Sequence, residues 1–285
     1  MNNEKDLSFK WKKITREDLQ KATDLLVENE KKYVGACGRF LARAAGDPVW
    51  ILSNKKNEIA ALAVNSRSTL IPVLGANNGI PIPDFPGHFL LNRQIHSLQG
   101  LKEEVLLFEK TMAKTGRKIS DLYDYDLMSL DYYDEKRNAG LNSVNLVLRV
   151  PTLADLNAIT PLQAAYEIEE VIPAGSSFNP AASRINTSNL IANGRMLAAE
   201  VNGRIVGKIH VNAVSFTRFQ VGGVYVHPDF RGLGIGRRMT AGFIASLLNE
   251  SRGVTLFVKK TNQPARKLYE GLGFTVKGDY RITYY

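Results

Sequence analysis

The eight residues Arg231 to Arg238 read R-G-L-G-I-G-R-R and hold three arginines and three glycines. An apolar run, Val221 to Val226, leads into them through His227-Pro228, and a helical pattern follows from about Ile235 to Glu250. Strand, glycine loop and helix in that order make an anion site. The loop N–H groups converge, the helix N-terminus carries about half a positive charge, and small residues let the backbone approach a phosphate closely. Arg237 and Arg238 fall in the first helical turn, where an exposed cation opposes the helix dipole by roughly 0.3–1 kcal/mol. With Arg231 they make sense as clamps on a bound polyanion. The plain alternative is three solvated arginines on a basic protein.

The spacing excludes two common phosphate loops. No Lys-Ser or Lys-Thr follows the glycines, as a triphosphate loop requires, and G-x-G-x-x-G fails in both registers, at Arg237 and at Met239. What remains is R-x-x-G-x-G, Arg231 to Gly236, followed by N-x-x-A-x-x-L-Y-x-x-x-G-F, Asn262 to Phe274. An Asn202-Gly203 hairpin signal and the Gly223-Val-Tyr-Val226 strand precede them. In this order the motifs resemble the GNAT superfamily of acyl-CoA-dependent N-acyltransferases, and the resemblance runs from Val144 to the end of the sequence. Tyr166-Glu-Ile-Glu-Glu-Val and Gln220-Val-Gly-Gly-Val-Tyr are similar to a bacterial subgroup that carries an extra N-terminal domain.

The resemblance implies acetyl transfer from acetyl-CoA to an amine. It places the pyrophosphate on the N–H groups of Gly232, Leu233, Gly234, Ile235, Gly236 and Arg237, with charge from Arg231 and Arg237. It lays the pantetheine arm along Val224, Tyr225 and Val226, with Asn262 beside it. It makes Tyr269 the acid that protonates the departing thiolate, and a backbone N–H near Val224 the donor to the thioester oxygen. From the residues alone, Tyr269 is equally a core aromatic at helical spacing, and Asn262 a helix cap. For the base, Glu167 and Glu170 are expected to share one helix face at i, i+3, with Glu169 pointing elsewhere. A solvated acidic face, Glu200, or a water chain are the alternatives.

These residues need elements to hold them. Val144 to Val150 reads as a strand, Thr152 and Asp155 as a capping box, and Pro161 as the start of a further helical stretch through Val171. A helix over Ala181 to Ile191 follows. A three-strand meander comes next, with Gly222-Gly223 predicting a bulge in its third strand. Val254 to Val258 reads as a buried strand, and Phe274 to Val276 and Arg281 to Tyr285 as two closing strands. The first half has the same order of strand, helices, strand pair, strand, helix, strand. This predicts a degenerate second copy whose glycine loop is reduced to Ser97-Leu98-Gln99-Gly100 and binds no cofactor. Asp134 to Asn142 is the expected joint.

The expected architecture is therefore α/β (α+β). An N-terminal α/β domain occupies 1–138, and a catalytic GNAT domain with a mixed, mostly antiparallel twisted sheet flanked by helices occupies 143–285.

The chain has 285 residues, 44% of them hydrophobic, enough for two ordinary cores. Of the net charge of +9, +6 falls after Val150 (15 Lys/Arg against 9 Asp/Glu). A phosphate-bearing small ligand explains that bias, and no Lys/Arg run or aromatic-basic interleave argues for nucleic acid. Cys37 is the single cysteine, and the four histidines have no metal-ligand spacing, so no metal is expected. No signal core or membrane-spanning run is seen, and the expected compartment is the cytoplasm. The sequence identifies neither the acceptor amine nor the oligomeric state; a homodimer stays open. A non-catalytic acyl-CoA-binding sensor or scaffold is the competing reading.

Overall fold

The computed structural model describes residues 8–43, 47–75, 82–90, 95–134, 136 and 145–285. Its first half runs β1 (Lys10–Lys13), α1 (Leu19–Glu28), α2 (Glu30–Leu41), β2 (Val49–Ser53), β3 (Ile59–Ser66), β4 (Thr69–Val73), β5 (Ser97–Leu101), α3 (Lys102–Lys114) and β6 (Asp121–Leu130). The second runs β7 (Leu146–Arg149), α4 (Leu156–Tyr166), α5 (Pro180–Ala192), β8 (Met196–Val201), β9 (Arg204–Val214), β10 (Arg218–Val226), α6 (Ile235–Leu248), β11 (Gly253–Lys259), α7 (Gln263–Leu272) and β12 (Thr275–Tyr284). The principal strands and α-helices of the two halves match, except that between β4 and β5 the described residues hold only a short 3-10 turn, Gly87–Phe89, where the second half has α6.

All twelve strands form one sheet in the order β1-β2-β3-β4-β5-β12-β6-β11-β10-β9-β8-β7. Exchanging β1–β6 with β7–β12 reproduces this order read backwards, so the sheet has a pseudo-twofold between β12 and β6. Each half gives its last strand to the other. β12 lies antiparallel between β5 and β6, and β6 antiparallel between β12 and β11. The two parallel pairs among the described strands, β4–β5 and β10–β11, occupy equivalent places.

Apolar alternation puts cores on both faces of the sheet. Met128 and Leu130 of β6 pack with the α6 residues Met239, Phe243 and Ile244, so the donated strand completes the second half's core. In return Tyr280 of β12 packs with Tyr33, Cys37 and Leu62 in the first half's core. Helix α2 also reaches the second half. A Cβ on Gly35 would lie 3.0 Å from Gln220 Oε1, and one on Gly38 2.7 Å from the Val214 carbonyl, so small residues at i and i+3 let the helix press on β9 and β10. Glu30 secures the contact, accepting from Thr217 N and Oγ1 at 2.6 Å each.

Several expectations change. Ser97 to Gly100 is not a loop remnant but part of β5, the counterpart of β11; the place of the glycine loop lies earlier, between β4 and β5. The two closing strands are one, β12, with a register shift between Val276 and Gly278. Pro161 lies inside α4 instead of starting a helix. The expected joint, apart from Asp134 and Lys136, lies outside the described residues.

Candidate functional site

Strands β10 and β11 pair only from Arg218 to Val221 with Gly253 to Leu256, and then part. The cause lies on the other edge of β10. Its register with β9 slips by one residue between Gly222 and Tyr225, and Gly223 has φ +61°. A Cβ on Gly222 would fall 2.0 Å from Asn212 Nδ2, and one on Gly223 1.9 Å from His210 Cε1. Glycine is therefore needed at Gly223, whose φ is positive and which backs onto the buried His210 ring, while a side chain at Gly222 would require Asn212 to move; the bulge increases the local twist that swings the end of β10 away. The gap opens into a cavity of about 860 Å³ whose lining includes Val224, Tyr166, Glu170, Asn262 and Tyr269.

The glycine loop stands at the mouth of this gap. Gly234 is left-handed, with φ +73°, and, being glycine, caps α6 with no side chain of its own over the helix start. A Cβ on Gly236 would lie 3.6 Å from both Val226 and Leu268, which puts the helix start between the end of β10 and α7. The arginines are less close to the loop than their spacing implies. Arg231 donates to the Val226 carbonyl at 3.0 Å and pairs with Glu169 at 3.0 Å. Arg237 donates to the Gly271 carbonyl at 3.1 Å, tying α6 to α7. Of the residues expected along the cofactor arm, Val224 and Asn262 line the cavity; Tyr225 turns its hydroxyl to Glu169 at 2.7 Å.

Tyr269 is buried on α7, and burial, then Tyr166 and Glu170, push its phenol well above its ordinary value. It stays protonated at neutral pH, as a proton donor must. Asn262 both caps α7, accepting from Ala265 N at 3.1 Å, and donates to Glu170 at 3.1 Å. Burial pushes the Tyr166 phenol up to about 12, offset in part by the Gly223 backbone N–H beside it.

The three glutamates separate. Glu167 to Val171 form a π-helical turn at the end of α4, so the i, i+3 face expected for Glu167 and Glu170 is not formed. Glu167 accepts from Gln163 at 2.7 Å and Asn186 at 3.1 Å, within the helical layer. Glu170 lines the cavity and also meets Lys259 at 3.3 Å. Glu169, expected to point elsewhere, reaches Tyr225 and Arg231, so Glu169 and Glu170 hold the two lips of the gap. Glu200 is tied to Arg149 at 2.9 Å, at the β7–β8 edge of the sheet.

The structure adds residues that spacing does not reveal. His210 is buried against Gly223 with Nδ1 lacking a hydrogen-bond partner, and burial followed by Lys208 pushes its pKa down to about 3. Lys208 is wholly buried; it donates to Gln163 and lies 4.2 Å from the Tyr166 ring centroid. Burial lowers its pKa to about 7, with Glu167 opposing. The i, i+2 alternation on β9 was the available signal, since both fall on the face that meets α4. The first half supplies cavity wall as well, through Gly35, Gly38 and Arg39 of α2 and Gln99 of β5.

The profile of the Acetyltransferase (GNAT) family matches residues 162–274. Mycothiol acetyltransferase of Thermomonospora curvata is 36% identical over 85 residues, covering 28% of this chain and 27% of that protein. Mycothiol acetyltransferase of Thermobispora bispora is 41% identical over 87 residues, covering 27% and 28%. The chain thus matches about a quarter of the length of these curated relatives. Among solved structures, a tandem GNAT protein from the clavulanic acid biosynthesis pathway has a TM-score of 0.60 at 13% identity, over 97% of this chain and 98% of that one. A GNAT-family acetyltransferase from Colwellia psychrerythraea has a TM-score of 0.57 at 12% identity, over 97% and 100%.

Proposed function

Residues 162–274 are a GNAT-family acetyltransferase domain, and on that premise we propose that the chain transfers an acetyl group from acetyl-CoA to an amine by direct attack. The observation that supports this best is the gap between β10 and β11, with the left-handed Gly234 at the start of α6 beside it and Tyr269 in its lining. The N–H groups from Gly232 to Arg237 would hold the pyrophosphate, and the freed edge of β10 at Val224 to Val226 would pair with the pantetheine arm. Arg231 would leave the Val226 carbonyl or share it.

The chemistry needs one bond formed and one broken. The neutral amine nitrogen attacks the thioester carbonyl carbon, and the oxyanion takes a hydrogen bond from the backbone N–H near Val224. As the tetrahedral adduct collapses the C–S bond breaks, and the Tyr269 hydroxyl gives its proton to the leaving sulfur. The nitrogen loses a proton to Glu170 or to water; Glu167, turned into the helical layer, is the weaker candidate. Buried neutral His210 fixes the bulge through its contact with Gly223 and supports the oxyanion donor indirectly.

Isothermal titration with acetyl-CoA, followed by mass spectrometry of an amine panel, tests this. Micromolar binding and a product heavier by one acetyl group support the enzyme. Binding with no transfer to any amine, unchanged in Tyr269→Phe, favours the sensor reading instead.

A further inference from the structure

Several arginines around the sheet meet a carboxylate. Arg149, Arg218, Arg231, Arg266 and Arg281 sit on Asp155, Asp131, Glu169, Asp126 and Asp124. Arg39 on α2 differs. It lines the same cavity as Tyr269 and Glu170, and it faces the neutral amide of Gln99, whose oxygen accepts at 2.8 Å once the amide is turned toward it. Among the described residues no carboxylate lies within ion-pair distance of it. Burial lowers its pKa; the nearby Tyr280 opposes this, and Arg67 adds like charge. A guanidinium kept in a cavity wall without an anion is costly, and its planar fork matches a carboxylate. Glu170 is the only acidic residue in the described lining and is already paired with Lys259 there, so Arg39 and Arg195 leave the cavity cationic on balance.

We propose that the acceptor is an amine that also carries a carboxylate, and that Arg39, supplied by the first half, binds that carboxylate beside Gln99 while the amine faces the second half's thioester site. The inference rests on the acetyltransferase reading. It gives the first half a place in the reaction: α2 presses its Gly35 and Gly38 onto β9 and β10 and so carries Arg39 to the rim of the other half's site. Arg39 is then a specificity-determining residue that touches substrate away from the reacting atoms.

The test compares α- and ω-amino acids with their carboxamides as acceptors, using acetyl-CoA and the full chain. The acids should be preferred in kcat/KM by on the order of 100-fold, since one partner of a buried charged pair is missing in the amides. Arg39→Met should erase that preference through the acids alone, leaving the amides and acetyl-CoA affinity within a few fold; Arg39→Lys should keep part of it. Equal use of acids and amides by the parent, or a preference that survives Arg39→Met, overturns the inference while leaving acetyl transfer intact. Failure to bind acetyl-CoA would count against the function itself. If acetyl-CoA binds but no amine turns over, thermal shifts with the same acids and CoA decide. A shift lost in Arg39→Met supports the site, and no shift from any acid overturns it.

Discussion

Two gaps, at equivalent places in one sheet, have opposite fates. Between β10 and β11 the strands part and leave a cavity. Between β4 and β5 they also part after a short parallel pairing, Thr69 with Ser97 and Leu70 with Leu98, but the space is filled from within. Glu104 on α3 is buried there; it accepts from the Leu74 N–H at 3.0 Å and from the Tyr33 hydroxyl. The frames are the same. Gly75 and Gly223 both have φ +61°, and each sets its backbone N–H beside a tyrosine, Tyr33 or Tyr166. Counted from their first residues, α3 and α7 place Phe108 opposite Tyr269, Glu104 opposite Ala265 and the cap Leu101 opposite Asn262. The first half thus has no phenolic hydroxyl at the acid position and no Asn cap, and a carboxyl occupies the strand edge. The difference teaches that three side chains can refill the space behind one strand gap while the half keeps its packing role.

The sharpest way to break the comparison is to separate its members. If 1–138 and 143–285 were independent folding units, as the sequence proposes, residues 143–285 alone would fold. We expect them not to, because β11 would lose β6 and β12 would lose both neighbours. Circular dichroism and solubility of that fragment check this, and cooperative melting of a monomeric fragment would contradict the exchanged sheet. Next, Gly234→Glu should weaken acetyl-CoA binding by more than about 100-fold in calorimetry. It puts a side chain and a negative charge at a left-handed position on the proposed pyrophosphate site. Third, Tyr269→Phe should lower kcat by about 100-fold with acetyl-CoA affinity unchanged, the signature of a lost proton donor.

Glu104 sharpens the contrast from the other side. Burial, opposed by the hydrogen bonds of Tyr33 and Leu74, raises its pKa to about 8, and one carboxyl oxygen lacks a partner. Its stabilising effect is therefore full below the unfolded value near 4.5 and is lost as pH rises through about 8. Urea melts should show stability falling over that window by on the order of a few kcal/mol, with Glu104→Gln flattening the slope and leaving acetyl-CoA affinity unchanged. The smallest effect is expected for Asn262→Ala: about 1 kcal/mol of stability from the lost cap, with a few-fold rise in KM for acetyl-CoA as Glu170 loses a partner.

What could be read in the sequence was what is local. R-x-x-G-x-G and N-x-x-A-x-x-L-Y-x-x-x-G-F each sit within one loop and one helix, so spacing alone brings their residues together. The strand exchange is not local. β6 and β12 both alternate suitably for either neighbour, and nothing in Asp121–Leu130 says that Gly253–Lys259 lies beside it. The π-helical turn escaped because five residues, three of them glutamate, do not distinguish it from an α-helix, so the glutamates were given the wrong neighbours. Arg39 and Gly223 are 184 positions apart by their numbering, and only the crossing of α2 over β9 and β10 brings them to one cavity.

The exchanged strands also set a timetable for synthesis. β6 emerges about 145 residues before β12, which at ribosomal speeds of about 5–20 residues per second is on the order of ten seconds. Throughout that interval β5 and β6 each present an open edge that no part of the nascent chain can yet cover. Two such edges are templates on which another strand can pair, so the order of synthesis exposes what the finished sheet covers.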